Sequence, residues 1–395
     1  MKTKHILISG ASIAGPALAY WLNRYGFNVT VVECAPHIRP GGYAVDFRGT
    51  AMQVLAQMNL LEEIRKFETR AGKISMVNKK NKEVARMPDG FTSGELEILR
   101  GDLANVLYEA TKADTEYIFD DSVTEIKQDA TGATVTFLSG ATRRFDMVVG
   151  ADGLHSKVRS VAFGDESNFM HHLGIYFAVF TTPNFMQLKD MAGLYYGTLG
   201  KRVGIFSARE DTEARASFYF AAPALDYDYR DITSQRQMIR ERFANEEWAV
   251  PELLAYMDNA TDFYFDAASQ IKMDTWSKGR VTLLGDAAGC ASPMSGMGTS
   301  LAVVGAYILA GELKAAKGEH TIAFARYEAQ MRDFVAASQK MAAGAEWFIP
   351  STRFKFWMSQ QIWKILPYTP WKNMMIEMPM KVANIVKLKS YEGDE

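Results

Sequence analysis

Residues 4–33 constrain this chain more than any other stretch. His5-Ile-Leu-Ile-Ser9 is a short apolar run of the kind that forms a strand buried on both faces. Gly10-Ala-Ser-Ile-Ala-Gly15 follows, then Pro16 and a helical pattern through Tyr25, with Gly26 to stop it. A second apolar run from Asn28 ends in Glu33. Strand, glycine-rich turn, helix, strand and terminal acid form the unit that holds the pyrophosphate and ribose of a dinucleotide. Gly10 turns the chain off the strand and Gly15 lets helix and sheet approach. The helix N-terminus, around Ser12 and Ala14, offers free N–H groups and partial positive charge to phosphate. Glu33 is placed to accept hydrogen bonds from a ribose diol. Ser12 stands where the fingerprint has its middle glycine, which narrows the backbone approach but adds a hydroxyl donor. The alternative is an ordinary βαβ corner whose glycines serve packing only.

A chain of 395 residues exceeds one typical core, so two domains, or one with a large insertion, are expected. The net charge of −2 and the lack of a long basic run argue against nucleic acid as a partner. Cys34 and Cys290 are far apart and lack metal-ligand spacing, which fits a reducing cytoplasm. His171 and His172, if on a strand, point to opposite faces, so no metal site is predicted. No apolar run reaches the roughly 18 to 20 residues that span a bilayer. The basic-then-apolar N-terminus mimics a signal peptide, but Ser9-Gly10 breaks the run.

The pattern along the chain predicts an α/β doubly wound fold, an inserted antiparallel-sheet substrate domain and a C-terminal helical tail. The expected boundaries are 1–168, 169–273, 274–335 and 336–395, with residues 70–95 on the substrate side. After Glu33, helical spacing of Val54, Leu55, Met58, Leu61 and Ile64 predicts one helix, with Arg48 just ahead of it as a phosphate or flavin contact or a surface charge. Ile74 to Met87 reads as a hairpin. Arg100 and Leu103 lie at a helix entrance, with Asp102 as N-cap. Three strands follow, Ser122–Lys127, Ala133–Leu138 and Arg143–Val149, the last running into Gly150-Ala-Asp152-Gly153 and Arg159. Aromatic-rich strands then alternate with two helices up to about Gln270. Arg280 to Leu284 returns to the buried-strand pattern and delivers Gly285-Asp286, and Pro293-Met-Ser-Gly296-Met297-Gly298 opens a long helix.

Gly10–Glu33, Gly150–Arg159 and Gly285–Gly298, with Arg100 ahead of a helix, together resemble the class A flavoprotein monooxygenases, FAD-dependent aromatic hydroxylases. The likeness spans most of residues 1–335. Tyr43 to Gly49, Glu97 to Leu103 and Gln270 to Ala288 look most like the tetracycline-inactivating branch. The resemblance implies that Gly10, Gly15 and Glu33 hold the ADP half of FAD and Arg100 its phosphates and ribityl chain. Asp286 would accept from ribityl hydroxyls, Pro293 to Gly298 would lie against the isoalloxazine ring, and Asp152 would belong to a segment linked to FAD and NAD(P)H. Met297 and Ser300 stand where the family often has glutamine and asparagine.

The same resemblance implies that NAD(P)H reduces FAD and that a flavin C4a-hydroperoxide transfers one oxygen from O2 to an aromatic or polyketide-like substrate, a tetracycline-type compound among the options. No nucleophilic triad or paired-carboxylate constellation stands out, so no catalytic residue is named. Phe218 and Phe220 share one strand face and Phe177 and Val179 another, as substrate wall or as core between layers. Arg209, at a strand end, would meet a substrate enolate or carboxylate, or remain a solvated charge. The aromatic, basic tail after Trp347 has three expected roles: packing over the substrate opening, a membrane-surface patch, or a dimer contact. A monomer or weak dimer is expected. The rivals are a flavin dehydrogenase or halogenase on the same fold, and an FAD-binding protein without turnover.

Overall fold

The computed structural model describes residues 4–69, 72–88 and 94–392. Its centre is a sheet of five parallel strands in the order Glu116–Phe119, Asn28–Glu33, His5–Ser9, Met147–Gly150 and Val281–Leu283, with Ser277–Lys278 antiparallel at the edge. Ile6, Leu7 and Ile8 are wholly buried, as an apolar run in the middle of a covered sheet must be. Helices Ala14–Arg24 and Gly298–Ala315 pack on one another, and the latter packs on His320–Met341.

Three expectations about elements need correction. The strand expected over Arg143–Val149 is two strands. Thr142–Phe145 belongs to a separate three-stranded antiparallel sheet and Met147–Gly150 to the central one. The chain changes sheets at Asp146, whose carboxylate accepts from the His5 amide at 2.8 Å and from Lys4 Nζ at 3.2 Å. The helix expected through Ile64 is broken into Thr50–Gln57 and Leu61–Arg65, because Asn59 adopts a left-handed φ of 57°. Asp102 is not an N-cap, since that helix begins at Arg100, and its carboxylate meets Arg209 at 2.9 Å.

A seven-stranded sheet stands beside the first. Its order is Tyr264–Ile271, Met170–Pro183, Glu213–Ala221, Lys201–Ala208, Gly193–Thr198, Ile74–Val77 and Glu83–Arg86, so the early hairpin supplies one edge. Helices Ile232–Phe243 and Val250–Asn259 seal one face, where Tyr176, Phe180, Ile205, Phe218 and Phe265 form a core. The tail helices Arg353–Ile365 and Trp371–Ala383 follow. Trp363 and Leu366 pack with Ile74, Met76 and Met87 of the second sheet's other side. The chain end is pinned to the central domain: Thr50 Oγ1 donates to the Val386 carbonyl at 2.9 Å, and the Tyr391 hydroxyl meets buried Glu312 at 2.8 Å.

Candidate active site

The glycine-rich turn is as tight as its sequence requires. Gly10 has φ of 108°, and a Cβ on Gly15 would lie 1.9 Å from the Gly10 carbonyl oxygen. Glu33, at the end of its strand, accepts from the Ala11 amide at 2.8 Å and the Ala35 amide at 3.0 Å. Its carboxylate thereby ties the turn to the loop after the strand. Beside it opens a cleft lined by Ala11, Ser12, Glu33, Arg39, Arg100 and Ala104. Ala14 begins the helix and Leu103 is wholly buried beneath that of Arg100.

Further along, Gly285 turns the chain with φ of 63° and Asp286 opens a short helical turn. Burial pushes the Asp286 carboxyl upward, opposed by a hydrogen bond with Cys290 and by the charges of Arg100 and Arg159. A Cβ on Gly298 would lie 3.8 Å from Asp286 Oδ1, so the acid faces the start of the 18-residue helix Gly298–Ala315. The first N–H groups of that helix have no intrahelical partner. Ahead of it, Pro293–Ser295 forms a 3-10 turn, Gly296 is left-handed at φ 62°, and Met297 is wholly buried. Gly296 lets this loop approach Arg48, whose Nη1 would stand 3.4 Å from a Cβ there. Arg48 is buried and bonded to Asp46 at 2.7 Å, which removes the surface-charge alternative. Burial, offset in part by Arg48, pushes the Asp46 carboxyl up to about 6.

These groups fit FAD. The free N–H groups at the start of helix Ala14–Arg24, beside Arg100, suit the pyrophosphate, and a carboxyl displaced upward by burial suits a partner with several O–H donors. Ser300 Oγ, buried near the helix start with no hydrogen-bond partner, awaits a polar group there. Asp152 serves the chain itself. Its carboxylate accepts from Ser9 Oγ at 3.2 Å and from the Lys157 and Val158 amides at 2.9 and 3.1 Å, fixing the loop that leads into helix Lys157–Phe163.

The second sheet presents its open face to this cleft, and the alternation decides which side chains look inward. Phe177 pairs across the strands with Tyr219, whereas Phe218 and Phe220 pair with Ala178 and Tyr176 and point the other way. Phe218 and Phe220 are therefore core residues under helix Ile232–Phe243, not substrate wall; Phe218 meets Phe243 at 4.9 Å. Arg209 is likewise corrected: at a left-handed turn, it is held by Asp102 and Glu213, each at 2.9 Å, and its charge is already answered. The inward face carries Phe177, Tyr219, Tyr195, Tyr264, Arg202 and Arg215. Tyr43 reaches Phe177 from the central domain, with ring centroids 6.5 Å apart.

Arg202 and Arg215 escaped sequence inspection. Arg202 lies over the Phe348 ring at 4.2 Å, and its Nη1 is buried without a partner. Burial lowers its guanidinium to about 10, opposed by Tyr195 and Tyr219, so it stays cationic at neutral pH. Arg215 bonds Glu213 through Nη2 at 2.8 Å, while its Nε and Nη1 are buried and unpartnered. The alternation of Glu213–Ala221 places Arg215, Ser217 and Tyr219 on one face, but it does not tell which face looks inward.

Fold and site together define a flavoprotein with a dinucleotide domain and a separate seven-stranded sheet. Comparison with known proteins narrows this. The family described as "FAD binding domain" matches residues 3–340. A flavin-dependent monooxygenase of Legionella longbeachae is 39% identical, covering 99% of both chains. The tetracycline destructase Tet(51) superposes with a TM-score of 0.87 at 35% identity over 98% of this chain and 100% of its own. Tet(55) does so at 0.83 and 38%, over 98% and 99%. The chain belongs to the FAD-binding class A flavoprotein monooxygenases, and it is an FAD-dependent monooxygenase.

Proposed function

We propose that this monooxygenase consumes NAD(P)H and hydroxylates a fused-ring phenol or enol, a tetracycline-type compound included. When bound, FAD supplies the redox chemistry, taking a hydride from NAD(P)H and activating O2 for transfer of one oxygen atom. Gly10, Ser12, Ala14, Gly15 and Glu33 bind its adenosine half, Arg48, Arg100 and Leu103 flank its middle, and Asp286 with Pro293 to Gly298 orients the ring system. Asp152 holds its loop in place for that assembly. Phe177, Tyr219 and Tyr195 exclude water and give a planar substrate its stacking surface.

The observation that carries the substrate class is the pair of buried arginines with unpartnered donors. On the neighbouring strands Lys201–Ala208 and Glu213–Ala221, Arg202 stands opposite Tyr219 and Arg215 opposite Phe206, so the two arginines are offset by four residues of register, or about 13 Å along the strand direction. Two cations so spaced on an aromatic wall match a multi-ring molecule with ionised or strongly polarised oxygens toward both ends. The tetracycline destructase neighbours agree with such a ligand.

The test is to load the protein with FAD and follow NADH and NADPH oxidation with polycyclic phenols, a tetracycline among them, and with their O-methylated analogues. Acidic compounds should accelerate oxidation, and Arg202→Met or Arg215→Met should raise KM about tenfold or more with FAD retention unchanged. Equal response to neutral analogues, or to none of them, would reject the substrate class.

A further inference from the structure

The tail helices have two faces. Trp363 and Leu366 point inward to the substrate sheet, while Phe354, Trp357, Ile365, Tyr368, Trp371 and Met374 are 57% to 89% exposed. Their spacing keeps Phe354, Trp357 and Ile365 on one side of Arg353–Ile365 and Trp371 with Met374 on one side of Trp371–Ala383, with Tyr368 exposed on the turn Leu366–Tyr368 between them. Nothing covers these side chains among the described residues, and so many exposed aromatic and apolar side chains within about twenty residues of sequence mark an interaction surface.

Charge is segregated to the same segment. Residues 347–388 contain Arg353, Lys355, Lys364, Lys372, Lys381 and Lys387 against the single acid Glu377, a surplus of five in a chain whose net charge is −2. Lys355 is near Glu346 at 2.9 Å and Lys381 near Glu377 at 3.6 Å. A second copy docking by the same face would bring two such surpluses together, which like-charge repulsion opposes. An anionic bilayer neutralises them, and tryptophan and tyrosine settle at the headgroup level, where one end of the ring is apolar and the other wet.

We propose that this outward stripe docks the protein on an anionic lipid surface, with Phe354, Trp357, Tyr368 and Trp371 entering the headgroup region. The helix that docks is also the helix that roofs the aromatic wall. If the substrate class above is right, the cavity mouth then faces the phase in which an apolar polycyclic compound concentrates. The docking itself does not depend on that substrate.

The test uses the FAD-loaded full chain and sedimentation with vesicles of phosphatidylcholine containing about one-third phosphatidylglycerol, or of phosphatidylcholine alone. The protein should pellet with the anionic vesicles, release in high salt, and pellet weakly with the neutral ones. The triple variant Trp357→Ser, Tyr368→Ser, Trp371→Ser should lose vesicle binding about tenfold or more while keeping its flavin spectrum and thermal midpoint. The pair Arg353→Gln, Lys364→Gln gives a second variant that leaves the aromatics intact and should weaken binding to anionic vesicles alone. No pelleting of the parent protein would overturn the proposal, and so would equal pelleting of parent and triple variant. A dimer in sedimentation velocity that the triple variant abolishes, without vesicle binding, would assign the stripe to a second copy instead. Turnover enters none of these readouts, so failure of the substrate class leaves them unaffected.

Discussion

Asp286 and Glu33 are carboxylates asked to do different work. Glu33 is engaged by the amides of Ala11 and Ala35. Asp286 is displaced upward by burial and lacks enough donors to compensate. Asp286→Ala should therefore weaken FAD binding by about tenfold or more while leaving the apoprotein's melting temperature within a few degrees, because a buried acid short of donors adds little stability. Glu33→Ala should weaken FAD binding and lower apoprotein stability by about 1–2 kcal/mol, since the buried Ala11 amide and the half-buried Ala35 amide lose an acceptor. Fluorescence titration with FAD and thermal melts separate the two. Equal behaviour of the variants would refute this division. Arg215→Met offers the opposite signature: Glu213 keeps Arg209 as its partner, so removing a buried guanidinium with two unpartnered donors should leave stability unchanged or raise it by about 1 kcal/mol even as substrate affinity falls.

At the scale of elements, the loop after strand Met147–Gly150 is latched to the seven-stranded sheet by His155. Its Nδ1 is 2.8 Å from Glu166 and its Nε2 3.3 Å from Asp266, and its ring stacks on Tyr229 at 4.1 Å. Burial alone would lower the imidazole, but hydrogen bonds and charge from Asp266 and Glu166 outweigh it and raise His155 to about 9. A raised pKa in the folded state means stability that is fully present below the ordinary value of 6.5 and lost as pH climbs through about 9. His155→Asn should cost on the order of 2 kcal/mol at pH 6.5 and nearly nothing above pH 9.5, read from denaturant midpoints across that range. A pH-independent cost would contradict the latch.

Much of the element layout was legible because local rules decide it. The turn at Gly10–Gly15, the strand delivering Asp286 and the helix opening at Gly298 each carry their own punctuation in the sequence. What escaped was settled by tertiary context. The break at Asn59 is a single left-handed residue inside a continuous apolar pattern. The change of sheet at Asp146 sits where two strands run on without a turn signal. The substrate wall was half legible: alternation correctly grouped Phe218 with Phe220, but only pairing with Tyr176 and Ala178 fixes which group faces helices and which faces the cleft. Arg209 was singled out as a charge at a strand end while Arg215 passed unnoticed, and only burial and partners separate the two.

For the whole molecule, segments 4–33, 150–159 and 285–298 are joined along the central parallel sheet, whose neighbouring strands are His5–Ser9, Met147–Gly150 and Val281–Leu283. The open face of the second sheet and the tail helices close the space opposite them. Among the described residues no helix is long and apolar enough to cross a membrane, and no group of three or more histidine, cysteine or acidic side chains is arranged to hold a metal. Oxygen insertion is read from the product. The decisive measurement is the mass of the product formed by the FAD-loaded protein from NAD(P)H and a polycyclic phenol under isotopically labelled O2. A product heavier than the substrate by one labelled oxygen is predicted. A product that has only lost hydrogen, or whose added oxygen comes from water, would contradict hydroxylation by this enzyme.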